Sequence, residues 1–408
     1  IMTNKKNKTI AFFSHWYFPE KIGCSTRVDN YCASLSKEFT VDLVCPTPAF
    51  PFGSFKKKIF IKPKVEQNQN EFSVVRLFNY VPGLREYTIK RYINFLLFPV
   101  MAILYLMRRR KKYDILITTS PPLFVALIGY FGKVFFGKKW IYDVRDTWIE
   151  NAINLGFLQK NSLIHKLVTI FEKSVFEKCD AIVFFTETVK EHFIEKYENV
   201  DIEKKSFVLY NGVDTQFFKP TVSWKKKPHQ ILYHGNIGTA QDLLPFIKAV
   251  EQINEKKKVR FYLYGDGDVK DELKKYVRLH DLKNTIIFKD PVTVEKIPGI
   301  INDSRIGIVS LKQNKNLGYT VPTKLLEFMA CGVPVLSSDL KEISKIVKSS
   351  ESGYVTDNNV KDIKNKLEKM LSDEKMSIEM GDSGRKYILN HFNWSINVQP
   401  LLRFLERL

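Results

Sequence analysis

The strongest constraint on this chain is a rhythm. Short apolar runs with strand character alternate with helical patterns along both halves. Strand-like runs fall at Thr9–Ser14, Val41–Cys45, Ile115–Thr119, Trp140–Val144 and Ala181–Phe185. They recur at Gln230–His234, Arg260–Tyr264, Thr285–Phe288, Ile306–Val309 and Val333–Ser337. Helical patterns cover Arg27–Lys37, Phe124–Phe135 and Leu163–Lys178, then Leu243–Asn254, Asp268–His280 and Thr323–Ala330. A helix between two strands carries the chain back to the same end of the sheet, so the strands pair in parallel. Parallel strands are covered on both faces, which suits runs that are apolar throughout rather than alternating. Two such sets predict an α/β protein of two Rossmann-like doubly wound domains, facing a cleft at the carboxyl ends of their strands. The length of 408 residues fits two domains at roughly 100–200 residues each. The expected division is an N-terminal domain over 1–205 and a second domain over 206–389. A C-terminal helix over 390–408, with Trp394, Leu401, Leu402, Phe404 and Leu405, is expected to cross back onto the first.

Charge narrows the class of partner. Sixty-four basic and 44 acidic residues give a net charge of +20, which favours an anionic partner. Zinc-finger spacing, a helix-turn-helix signal and an aromatic RNA-binding signature are all missing, so the expectation is no nucleic acid. The lysine runs 56–58, 225–227 and 256–258 read as solvated surface. The five cysteines, Cys24, Cys32, Cys45, Cys179 and Cys331, form no CxxC pair. That argues for a reducing compartment and against a disulfide framework or a structural zinc. The N-terminus is basic at Lys5, Lys6 and Lys8 and runs straight into a short strand, without the apolar core of a signal peptide. The expected location is cytoplasmic.

One stretch breaks the rhythm. Phe95–Met107 is thirteen residues without a charge, followed by Arg108, Arg109, Arg110, Lys111 and Lys112. At about 1.5 Å per residue such a run covers roughly 20 Å, short of the ~30 Å hydrocarbon core. Pro99 also interrupts it. A core helix is one reading. An apolar, basic-flanked helix at an anionic membrane surface is the other, with Phe95, Leu96, Phe98 and the five basic residues as contacts. The basic run favours the second, because a core helix does not require it.

Several strand ends carry groups suited to chemistry. Gly23, after the first strand and before a helix, lets backbone approach a ligand at a helix N-terminus. Asp143, Arg145 and Asp146 end a strand where α/β folds build sites. Asp143 and Asp146 are candidates to orient a sugar hydroxyl or act as a base, and Arg145 to pair with either or with a phosphate. An internal salt-bridge network is the competing reading. Gly235, Asn236 and Gly238 form a turn suited to phosphate approach, with Gln241 as an amide donor. Gly265, Asp266 and Gly267 form a sharp turn rather than a metal-binding DxD, with Asp268 expected to cap the next helix.

The segment from Gly318 to Val335 is the richest. Thr320 is a candidate cap, Pro322 suits a first helical turn, and Gly332 suits a left-handed helix end. Lys324 and Glu327 are three apart and share one face near the helix start. The N-terminal end of a helix offers free N–H groups and partial positive charge, which suits a diphosphate. A lysine there can neutralise a leaving phosphate, and a carboxylate can accept hydrogen bonds from two ribose hydroxyls. An ordinary ion pair is the alternative.

Taken together these residues resemble the family-4 retaining glycosyltransferases of the GT-B fold. Tyr210-Asn211-Gly212-Val213-Asp214 with Phe217 and Pro220, then Gly235–Gly238, Gly265–Gly267 and Glu327–Pro334, fall in that family's order and spacing. Thr119–Leu123 and Asp143–Trp148 resemble the branch that builds bacterial capsule, O-antigen and exopolysaccharide, including N-acetyl-fucosamine transferases. The resemblance implies a UDP-sugar donor held mainly by the second domain, with Gly23, Tyr319, Thr320 and Thr323 among the donor-site residues and Thr323 reaching a phosphate. It implies transfer with retention of an N-acetylated or deoxy hexose to a polyprenyl-diphosphate-linked glycan, at the inner face of the cytoplasmic membrane. No metal or other cofactor is required in that architecture. Two departures stand out. Tyr319 occupies the position where the family commonly has the first acid of its Glu-x7-Glu pair, and Asn236 and Gln241 replace its phosphate-binding Arg and Lys. Lys324 then becomes the leading diphosphate contact. A nucleotide-sugar 2-epimerase of the same fold lacks a matching His/Glu/Asp set here. A nicotinamide oxidoreductase would need GxGxxG after the first strand. A non-catalytic membrane-surface protein would not need Lys324 or Glu327.

Overall fold

The computed structural model describes residues 8–20, 23–51, 53–55, 62–83, 89–154, 156–223, 228–254, 259–313 and 317–408. The lysine runs named above, together with Lys5 and Lys6, lie outside the described residues. The chain divides into two units, Ile1–Tyr210 with Val398–Leu408, and Asn211–Asn397.

The first unit runs β1 (Thr9–Ser14), α1 (Gly23–Ser36), β2 (Thr40–Pro46), β3 (Lys64–Gln67), β4 (Ser73–Leu77), α2 (Ile89–Arg109), β5 (Ile115–Thr119), α3 (Ala126–Phe136), β6 (Lys139–Val144), α4 (Trp148–Asn154), α5 (Leu163–Lys178), β7 (Ala181–Phe184), α6 (Glu187–Lys196) and β8 (Ser206–Val208). Its sheet has the order β3-β4-β2-β1-β5-β6-β7-β8 and is parallel except for edge strand β3, which pairs antiparallel with β4. Phe12 in β1 lies between Leu43 and Ile117, all three fully buried, as expected of a sheet covered on both faces. The fit of α3 on the sheet depends on small residues. A Cβ on Gly129 would stand 1.9 Å from Trp140 Nε1, so only glycine permits this approach. β4 escapes the sequence pattern because Arg76 interrupts its apolar run; the guanidinium is used internally, donating to the carbonyls of Pro46 and Phe18.

The second unit runs β9 (Gln230–His234), α7 (Leu244–Asn254), β10 (Arg260–Tyr264), α8 (Lys270–Leu279), β11 (Ile286–Lys289), α9 (Ile297–Asn302), β12 (Ile306–Val309), α10 (Thr323–Ala330), β13 (Val335–Ser338), α11 (Lys341–Ser350), β14 (Gly353–Thr356), α12 (Val360–Ser372), α13 (Glu374–His391) and α14 (Trp394–Asn397). All its pairings are parallel, in the order β11-β10-β9-β12-β13-β14. The order reverses between β9 and β12. Doubly wound sheets build their sites at the carboxyl ends of the strands flanking such a reversal, and here the two loops are tied by Lys312 N donating to Ala240 O at 2.8 Å. The last helix, α15 (Gln399–Arg407), belongs to the first unit, where the Phe404 ring lies 5.2 Å from that of Phe207.

Two expectations about helix starts change. Pro322 is the residue before α10 rather than its first turn, and it supplies no side-chain cap. Asp268 does not cap α8 either. Its carboxylate reaches across to the neighbouring loop, accepting from Thr239 N at 3.0 Å and Thr239 Oγ1 at 2.6 Å. A cross-loop pair outcompetes the local cap because it satisfies both carboxylate oxygens at once.

Candidate functional site

The site is built where β9, β10 and α10 end or begin. α10 forms because Leu325, Leu326, Phe328, Met329 and Ala330 bury one broad face, and Gly332, at φ 65°, terminates it. The N–H groups of its first turn receive no side-chain cap from Pro322, the residue at the N-cap. Lys324 projects from that turn and donates to Tyr233 Oη at 2.7 Å, its ammonium 3.9 Å from the centre of the Tyr233 ring. Tyr233 in turn donates to the carbonyl of Asn236. A Cβ on Gly235 would stand 3.2 Å from Lys324 Nζ. The lysine is thus held beneath the loop 235–238 rather than waving in solvent.

The loops that frame it are locked to each other. Gly235 N donates to Tyr264 O at 2.9 Å, and Ile237 N to Asp266 O at 2.8 Å. Gly265 has φ 149°, and a Cβ there would fall 1.8 Å from the carbonyl oxygen of Gly235; a Cβ on Gly267 would fall 2.3 Å from that of Ile237. Gln241 Oε1 accepts from Gly238 N and from Asn236 Nδ2, each at 3.0 Å. The Gln241 carbonyl therefore shapes the turn, a role distinct from the donor expected of its amide. Asp266 is exposed and accepts from Gly267 N at 3.0 Å. Tyr319 and Thr320 are half-buried just before α10, and Thr323 is exposed at its first position.

Electrostatics single out the same residues. Burial pushes Lys324 down to about 7, opposed by the nearby Glu327 carboxylate. Burial likewise pushes Glu327 up to about 7, opposed by Lys324. The two influence each other and titrate as a pair. His234 Nε2 lies 3.4 Å from Glu327 Oε2. Burial, helped by the Lys324 charge, holds the imidazole down at about 3, so it is neutral. Tyr233 and His234 are the contributions that the sequence reading did not assign. The only signal for them is their place immediately before Gly235.

In the first unit the strand-end cluster separates into two roles. Asp143 is fully buried and engaged: Oδ1 accepts from Arg27 Nη2 at 2.8 Å and Oδ2 from Thr119 Oγ1 at 2.6 Å. Arg27 also donates to Leu209 O at 2.7 Å. The internal-network reading holds for Asp143, and its partner is Arg27 rather than Arg145. Asp146 differs. Burial pushes its carboxyl up to about 6, opposed by the Arg145 charge, and its Oδ1 has no hydrogen-bond partner among the described residues. Gly23 opens α1, four residues before the helical start expected at Arg27.

The unusual run has two faces on one helix. In α2, Phe98, Ala102 and Leu106 are buried, while Ile93, Leu96, Val100, Leu104 and Met107 are exposed. The exposed set falls on a single stripe at helical spacing. Phe98 is therefore core, correcting its assignment as a membrane contact, because it faces the sheet side of α2. Phe95 is half-buried against the rings of His15 and Trp16. Leu96 lies on the outer stripe, and Arg108, Arg109, Arg110, Lys111 and Lys112 are all exposed. Among the described residues no helix is long and apolar enough to cross a membrane.

Comparison with known proteins bears directly on these features. Residues 23–217 match the domain family Glycosyltransferase Family 4, and residues 214–387 match Glycosyl transferases group 1. The chain is a glycosyltransferase of the GT-B type. It is similar to an uncharacterized glycosyltransferase of Methanocaldococcus jannaschii, at 24% identity over 98% of each chain. A putative teichuronic acid biosynthesis glycosyltransferase of Bacillus subtilis is 22% identical over 86% of this chain and 88% of its own. Among solved structures, Anabaena HepE in complex with UDP superposes with a TM-score of 0.71 at 13% identity, over 98% of this chain and 100% of HepE. These matches do not favour the epimerase or the non-catalytic alternative.

Proposed function

We propose that this glycosyltransferase moves a sugar from a UDP-sugar to a lipid-linked glycan during bacterial surface-polysaccharide biosynthesis, with retention at the anomeric carbon. The observation that carries the donor reading is the position of Lys324, fixed by Tyr233 under the 235–238 loop at the start of α10. A helix N-terminus and a desolvated ammonium converge there on one anion, and a diphosphate supplies it. The charge on Lys324 and the N–H groups of the first turn offset the negative charge that develops on the leaving diphosphate. Glu327 accepts hydrogen bonds donated by the two ribose hydroxyls, and Thr323 reaches a phosphate oxygen. Tyr319 and Thr320, just before α10, are assigned to the same donor. UDP is the proposed nucleotide, a reading supported by the UDP-bound HepE of the same fold. The proposed sugar is an N-acetylated or deoxy hexose, of which N-acetylfucosamine is one.

The second unit is assigned to the donor and the first to the acceptor, with Asp146 and Arg145 placed on the acceptor hydroxyl. A carboxyl raised by burial is suited to accept a proton near neutral pH. The outer stripe of α2 and its basic end are assigned to an anionic membrane surface, at the inner face of the cytoplasmic membrane. The teichuronic acid relative supports a polysaccharide role. Incubation with a panel of UDP-sugars, following UDP release, tests the donor reading. Release stimulated by one sugar and abolished in Lys324→Ala and Glu327→Ala is the expected result; wild-type turnover in either variant overturns it.

A further inference from the structure

α3 packs between α2 and α5. The Tyr130 ring of α3 lies 6.1 Å from that of Phe171 in α5, and the Arg110 guanidinium lies 5.7 Å over the Phe136 ring. α5 carries its own outward apolar stripe: Leu163 is 72% exposed, Ile164 64%, Leu167 56% and Ile170 65%. At about 100° per residue, Leu163, Leu167 and Ile170 share one narrow face with Ile164 beside it. Glu172, Val175 and Phe176 form the buried side of the helix. At the end of α3, Val134 and Phe135 are exposed as well. Six large apolar side chains on two neighbouring helices exceed the scattered single exposures usual on a soluble surface.

The surrounding charge indicates what covers them. Lys160, Lys166 and Lys178 are exposed around α5, and the exposed acid Glu177 is within 3.9 Å of Lys173. A second copy of the chain, seated by a two-fold axis on this face, would oppose the same lysines to each other. Anionic headgroups neutralise them while acyl chains take the apolar stripe.

We propose that α5 and the end of α3 form a second lipid-contacting ridge, so that the first unit lies on an anionic bilayer through three adjacent helices rather than through α2 alone. This rests on the membrane reading of α2 given above and extends it: a single helix leaves the unit free to roll about its axis, whereas two ridges fix which side faces the lipid.

Flotation of the full chain with phosphatidylglycerol–phosphatidylcholine vesicles tests this. Three proteins are compared: wild type, an α5 variant (Leu167→Glu with Ile170→Glu) and an α2 variant (Leu96→Glu with Val100→Glu). Light scattering and thermal melting are run in parallel. The expected result is a loss of vesicle affinity of about tenfold or more in each variant, with mass and melting temperature unchanged. An α5 variant that floats as wild type while the α2 variant does not overturns the ridge and leaves the α2 reading intact. Wild-type flotation of both overturns both. A change from dimer to monomer in the α5 variant, with vesicle binding retained, assigns the face to a second copy and also overturns the proposal. Should the glutamates lower the melting temperature, Leu167→Ser with Ile170→Ser decides, since serine removes the apolar contact without adding charge.

Discussion

Lys324 is held in a place where its charge is costly until an anion arrives. Burial brings Lys324 down to about 7 and Glu327 up to about 7. Donor capture needs the lysine protonated and the carboxylate ionised, and each state is lost on a different side of neutrality. As pH rises through the lysine's value the cation is lost; as pH falls through the glutamate's value the anion is lost. The kcat/KM for donor is therefore expected to follow a bell centred near pH 7, measured by initial rates of UDP release. Glu327→Gln is expected to move the acid limb down toward the value of about 6 set by Asp146, and Lys324→Ala to lower transfer by about 100-fold or more. Gly265 gives a backbone counterpart. Its φ of 149° and the 1.8 Å approach to Gly235 O leave no room for a methyl group. Gly265→Ala is expected to cost about 3 kcal/mol or more in denaturant unfolding, with donor binding weakened as the 235–238 loop shifts. That Lys324 and Glu327 share one helix face was legible in the chain, because a spacing of three on a helix is a local fact. Tyr233 was not, because its bond to Lys324 spans 91 positions of sequence.

At the scale of elements, α2 shows why one apolar run supported two readings. Periodicity marks a helix, but a run apolar all round does not say which face meets the sheet. The structure gives each reading one side. Leu106→Ala, on the buried side, is expected to lose about 2–5 kcal/mol of stability. Leu104→Ala, on the exposed side, is expected to stay within about 0.5 kcal/mol in the same unfolding experiment. The inner face of α2 also closes over the end of β1. His15 Nε2 lies 2.9 Å from Asn94 Oδ1, and the imidazole packs on Phe95 and Phe98. Burial pulls His15 down from 6.5 to about 4, partly offset by Asn94. Between these values the unfolded chain binds a proton that the folded one does not, so stability falls as pH drops from about 6.5 to about 4. The loss attributable to this residue is about 3 kcal/mol. His15→Gln is expected to flatten that part of a plot of unfolding free energy against pH.

For the whole molecule, the net charge of +20 acts as a field rather than a set of pairs. If it draws the first unit to anionic lipid, wild-type flotation is expected to weaken steeply as salt shortens the Debye length from about 10 Å at 0.1 M to about 3 Å at 1 M. Flotation unchanged across that range would leave only the apolar stripes as the source of binding. The alternation of strand and helix, the glycine turns after β9 and β10, and the extent of α10 were all readable from the chain, since each depends on residues within a few positions of one another. So was the GT-B architecture, through the order of those local signals. Which strand ends meet was not readable. The order β10-β9-β12 brings the loop after β9 against the start of α10, and the order β1-β5-β6 brings Arg27 to Asp143, 116 positions away. Periodicity records only whether a residue faces inward. Its neighbour across the sheet is decided by strand order, and that is settled when the helices and strands pack as a whole.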